Sequence, residues 1–96
     1  MPGITGRKSA IGTTALALIG TATPVTYATT IKAAAANTGK IYVGLAGVTA
    51  DSAEGTDGLE LAAGEAVSLP KQFAADASLI FLIGSAASQK VFFVVV

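Results

Sequence analysis

The side chains able to do chemistry in this chain are few, and most are carboxylic. Asp51, Glu54, Asp57, Glu60 and Glu65 fall in one stretch, with no Lys or Arg between Ile41 and Pro70. The three-residue spacing from Asp51 to Glu60 offers oxygens to a hard cation such as calcium. The EF-hand pattern is not met, because Ala53 and Gly55 stand where its second and third ligands belong. The stretch therefore reads as a solvated acidic loop, and no metal is expected. Asp57 with Glu60 or Glu65 has the residue types for paired acid and base catalysis, but nothing around them supplies the apolar pocket such a pair needs. A serine nucleophile lacks its base, since the chain has no His and no Cys, and no Gly-x-Ser-x-Gly turn occurs. Gly39-Lys40 grazes the phosphate-loop pattern. Ala34 stands where that pattern needs a glycine and Ile41 where it needs a hydroxyl, so a turn is the better reading. No catalytic residue, no cofactor and no enzymatic activity are expected.

The elements that would position any site are strands. Leu79-Ile80-Phe81-Leu82-Ile83 and Val91-Phe92-Phe93-Val94-Val95-Val96 are rich in β-branched and aromatic residues and too short for buried helices. The small polar segment between them predicts an antiparallel pair. Both faces of these runs are apolar, so each must be covered, by a second sheet or by another chain. The simplest reading of the terminal valine run is a central core strand; the functional one is a strand buried at a subunit boundary. Upstream, Thr26, Tyr27, Thr29, Thr30 and Ile31 favour a strand, and Asn37-Thr38-Gly39 signals a turn. Lys40 to Leu45 resumes a strand with Ile41, Val43 and Leu45 on one side, which predicts a hairpin with a three-residue loop. Leu59-Glu60-Leu61 and Val67-Ser68-Leu69 around Ala63-Gly64-Glu65 read as a second hairpin. Residues 10–23 tilt to an extended strand ending at Pro24, and residues 71–78 to a loop or helical turn. Residues 1–9, with Pro2, Gly3 and Gly6, read as an arm ordered only if something holds it. The sum is an all-β chain: an extended N-terminal arm over 1–9 and, over 10–96, one small antiparallel β-sandwich or barrel of about six to seven strands.

Composition bounds the role. The chain has 96 residues, 52% of them apolar and 12% charged, which is about half the usual charged share, with six basic and six acidic side chains and no cysteine to staple it. Such a surface solubilises poorly alone and points to life in an assembly, with a homo-oligomer expected. Nucleic acid is not an expected partner, because only Arg7-Lys8 forms a basic pair and no aromatic platform adjoins it. No membrane span is expected, since the longest clear apolar run is the six residues ending at Val96. Residues 7–28 mimic a secretory signal, but glycine and threonine interrupt the apolar core, and the segment is read as mature chain.

A family likeness adds to this. Asn37-Thr38-Gly39-Lys40-Ile41-Tyr42-Val43-Gly44, Gly47-Val48-Thr49-Ala50, Leu61 to Leu69, Leu79 to Ser85 and Gln89-Lys90-Val91, in that order, resemble small structural proteins of tailed bacteriophages treated as head decoration or cement proteins. The likeness covers residues 30–96 and rests on turn-and-strand patterns. It implies a β-sandwich on the capsid surface of the virion, with the major capsid protein as partner. The candidate interface is then Ile4, Arg7 and Lys8 of the arm with Phe92, Val94 and Val96 of the terminal run. A tail, adaptor or head-fibre-base component has the same expected fold. A glycan-binding module, with Tyr27, Tyr42 and the acidic loop as contacts, is a third reading, weakened by the lack of tryptophan.

Overall fold

A computed structural model describes residues 3–48 and 58–96. Among these described residues, eight strands form two four-stranded sheets: β1 (Ile4–Ile11), β8 (Gln89–Val95), β3 (Ala28–Ala33) and β6 (Ala66–Pro70) in sheet A, and β2 (Leu16–Ala17), β7 (Phe81–Gly84), β4 (Ile41–Gly44) and β5 (Leu59–Leu61) in sheet B, each in that spatial order. All neighbours pair antiparallel. The fold is a small β-sandwich, as the alternating pattern predicts, and one 3₁₀ turn, Ala77–Leu79, precedes β7.

The core lies between the sheets. Alternation decides who enters it: Val91, Phe93 and Val95 of β8, Ile31 and Ala33 of β3, Ile41 and Val43 of β4, and Leu82 of β7 point inward and are buried. β4 is buried on its other side too, because Val48 and Ile83 cover Tyr42 there. In β1 the register slips between Lys8 and Ile11, with Ala10 at φ 56. The extra residue of this bulge reverses the alternation, and so Ile11 enters the core, fully buried, opposite Gln89.

The predicted hairpins are corrected. β3 and β4, β5 and β6, and β7 and β8 are not hydrogen-bonded partners, because in each pair the chain crosses from one sheet to the other. Of all consecutive strands, only β4 and β5 pair with each other. A turn signal marks where a chain reverses, and reversal across the core uses the same residues as reversal within a sheet. Here the turn residues hold arches together. Asn37 Oδ1 accepts from the Lys90 N–H at 2.9 Å and its Nδ2 donates to the Lys90 carbonyl at 2.8 Å, standing in for a strand neighbour. Gln89, fully buried, accepts the Gly39 N–H at 2.8 Å and donates to the Ala87 carbonyl and Thr38 Oγ1. Ser85 Oγ accepts the Lys40 N–H at 2.9 Å, and a Cβ on Gly39 would lie 2.6 Å from that oxygen. The β3–β4 and β7–β8 arches thus clasp each other and close one end of the sandwich.

Elsewhere Asp76 ties the chain down. Its Oδ1 accepts the Thr23 N–H at 2.8 Å and both the N–H and Oγ–H of Ser78, capping the 3₁₀ turn. These bonds, the one from Thr23 foremost, hold its pKa below the ordinary carboxylate value. The segment 1–9, read as an arm, runs from Ile4 onward as β1 against β8 of the same chain. Gly6 permits this: a Cβ there would stand 2.7 Å from the Phe93 ring, which packs across the strand.

Candidate interface on sheet A

The outer face of sheet A follows from the pairing register. Arg7, Phe92, Lys32 and Ala66 form one row across β1, β8, β3 and β6; Thr5, Val94, Thr30 and Ser68 form the next. Val96 continues the face beyond β8, bonded in both directions to Ala28, while its carbonyl also accepts the Thr26 and Tyr27 N–H groups. Lys90, two residues before Phe92, shares this side. The result is an apolar stripe along β8 with Phe92 45%, Val94 40% and Val96 41% exposed. Three cations, Arg7, Lys32 and Lys90, surround its Phe92 end. No strand of sheet A contains an Asp or Glu. Among the described residues the sole ion pair is Lys40 with Glu60, so none of the three cations on this face has a carboxylate partner there.

Of the residues expected at an interface, Arg7, Phe92, Val94 and Val96 are brought together on this face. Ile4 and Lys8 are not, because they pair with Val95 and Val91 and so lie on the core side of β1; Ile4 is exposed there at the sheet edge. Lys32, Lys90, Thr5 and Thr30 join the face and carry no sequence signal of their own, since only register makes them neighbours of Phe92 and Val94. Sequence reading also expects both sides of the terminal run to be covered. In a single copy the inner side is, by sheet B, and the outer side is not.

The remaining candidates disperse. Asp51, Glu54 and Asp57 lie outside the described residues. Glu60 accepts from Lys40 Nζ at 3.1 Å, and that bond, with a lesser one from Tyr42, holds its pKa below the usual carboxylate range. Glu65 Oε1 accepts the Ala62 N–H at 2.7 Å and belongs to the β5–β6 turn. Among the described residues no three Asp or Glu side chains gather. Tyr27 and Tyr42 form no platform. Tyr27 is exposed beside sheet A, whereas Tyr42 is buried on sheet B and offers no ring face to a ligand. An apolar groove at the β4–β5 end is lined by Leu45, Leu59, Leu69 and Phe73, and its rims Leu45 and Leu59 are each 48% exposed. Among the described residues, none that lines it has a polar side chain.

In comparison with known proteins, no family model, no curated protein and no solved structure matches this chain.

Proposed function

We propose that this chain is a virion structural protein that decorates the head of a tailed bacteriophage, binding the lattice of the major capsid protein at the capsid surface and stabilising it. The observation that supports this reading is the outer face of sheet A, an apolar stripe on a folded sandwich that one copy leaves uncovered. The resemblance of residues 30–96 to cement proteins supplies the setting. A cement protein resists internal pressure by bridging neighbours, which requires adhesive area and free strand edges and not a pocket. β1 is an edge strand, so its unpaired backbone side and the segment before it are suited to the lattice, while the stripe is suited to lateral contact. A patch of about 200 Å² at roughly 25 cal/mol per Å² supplies about 5 kcal/mol before ordering costs, and repetition over a lattice multiplies it.

The test is occupancy. Purified chain added to heads lacking it is expected to bind on the order of hundreds of copies per particle and to raise the temperature at which heads rupture. The surface variant Phe92→Ser with Val94→Thr is expected to bind fewer. Failure to bind heads, or binding confined to a single vertex, would overturn the proposal, the second outcome in favour of a connector.

A further inference from the structure

The outer face of sheet A is graded along β8. Phe92 has Arg7 of β1 and Lys32 of β3 as its cross-strand neighbours, and Lys90 stands two residues earlier on the same side of β8. With strands about 4.8 Å apart and a rise of about 3.4 Å per residue, these three cationic residues are rooted within about 10 Å of one another. The next row sets only hydroxyl groups beside Val94: Thr5 on one side, Thr30 and Ser68 on the other, the last two bonded to each other at 3.1 Å. Val96 then continues the apolar stripe. One end of the face is therefore apolar and cationic, the other apolar and neutral. The acids among the described residues are engaged away from it: Glu60 with Lys40, Glu65 with the Ala62 N–H, and Asp76 with Thr23 and Ser78. Like charges separated by about a Debye length repel, so a carboxylate placed among them relieves a tension that the isolated face retains.

We infer that this face binds a protein segment in which carboxylates adjoin aliphatic side chains, the carboxylates over Arg7, Lys32 and Lys90 and the aliphatic groups over Val94 and Val96. Charge complementarity fixes the first half of that description. The bare valines fix the second. A nucleic acid is held by cations that track its backbone and by rings that stack on its bases, whereas here the cations form one cluster and the valines would be buried against hydrated phosphate and sugar. An anionic bilayer is entered by large apolar groups that protrude below a basic rim, and two valines on a flat sheet do not protrude. A second copy set face to face would oppose like charges, which an interface disfavours strongly. Carboxylates laid instead over Val96 would be buried without a counter-charge, so the gradient also sets which end of the partner is acidic. The area is small, so a single contact is weak and becomes effective where many copies are held on a repeating surface. The inference rests on reading the sheet A face as the adhesive surface and goes beyond it by naming the chemistry it adheres to.

Amide chemical shifts of the full chain, titrated with defined probes, test it. The first probe is a synthetic heptapeptide with blocked ends, glutamate at its first and third positions, valine at its fifth and seventh, and serine between them, so that an extended chain presents acids and valines on one side. The others are the same peptide with lysine for glutamate, a short DNA duplex, and vesicles containing phosphatidylserine. The glutamate peptide is expected to shift the amides of Arg7, Lys32, Lys90, Phe92 and Val94, less as salt rises, and the lysine peptide to leave them in place. The variant Arg7→Gln with Lys32→Gln and Lys90→Gln, shown to be folded by circular dichroism, is expected to bind the glutamate peptide at least about tenfold more weakly. Phe92→Ser with Val94→Thr is expected to bind it more weakly while keeping the salt dependence. Absence of shifts on this face with the glutamate peptide, equal shifts with the lysine peptide, or undiminished binding by the glutamine variant overturns the inference. So does saturation of the same face by the duplex or the vesicles at a lower concentration of anionic groups than the peptide requires. No heads enter the measurement. Peptide binding without occupancy of heads keeps this inference and removes the proposed function, and occupancy of heads without peptide binding does the reverse.

Discussion

Phe92 and Phe93 are chain neighbours with identical side chains and opposite surroundings, and their contrast measures the arrangement of sheet A. Phe93 is 8% exposed, between the sheets and over Gly6; Phe92 is 45% exposed on the outer face. The difference, 45 − 8 = 37 percentage points, applied to roughly 200 Å² of phenylalanine surface is about 75 Å², or about 2 kcal/mol at roughly 25 cal/mol per Å². Phe93→Ala also leaves a cavity that the clasped sheets fill poorly, which brings its expected cost to about 3–5 kcal/mol. Phe92→Ala forfeits only cross-strand contact with Arg7 and Lys32 and is expected to cost about 0.2–1 kcal/mol. Domains of this size have a total stability of about 5–15 kcal/mol, so Phe93→Ala removes a large part of it. Urea denaturation in dilute solution, where copies do not associate, reads both values. Equal losses, or a larger loss at Phe92, would mean that β8 is registered one residue away from the pairing described, since such a slip exchanges the two faces.

Three further outcomes follow from other sites. Gln89→Leu leaves the Gly39 N–H without its acceptor and is expected to cost about 1–3 kcal/mol by denaturation, with faster hydrogen exchange at the Gly39 amide. Thr29 is buried in β3 and its hydroxyl has no hydrogen-bond partner among the described residues; Thr29→Val is therefore expected to be neutral or to stabilise by about 1 kcal/mol, and a clear loss in the urea midpoint would refute this. Asp76 has its pKa lowered on folding, so the unfolded chain binds the proton more tightly and acid favours unfolding. Its contribution is fully present above the unfolded value near 3.8 and is lost as pH falls through the lower folded value. Asp76→Asn is accordingly expected to be less stable than wild type at neutral pH, with the two urea midpoints converging as the solution is acidified below that range.

What the sequence determines by itself is local. Period-two alternation and β-branched content place strands at Ile41 to Gly44, around Leu59 and Leu61, at Val67 to Leu69 and in both terminal runs, and they set which residues of each strand share a side. Asn37 to Gly39 and Ala63 to Glu65 mark reversals of the chain because their side chains and backbones favour them. The charge asymmetry around residues 41–70 is equally plain from the residues alone.

Only the tertiary structure decides which strands become partners. Backbone donors and acceptors are the same at every residue, so a strand carries no local label for its neighbour. The choice between hairpin and arch is made by contacts far apart in the chain, such as Asn37 with Lys90 and Gly39 with Gln89. The same long-range register gathers Arg7, Lys32 and Lys90 around Phe92, and sends Tyr42 under Val48 and Ile83. It also draws Ile4 to Ile11 into the sheet, where the residues alone suggested an arm. Sequence identifies the two apolar sides of the last strand; folding covers one of them and leaves the other bare, because a two-layer sandwich has only one interior.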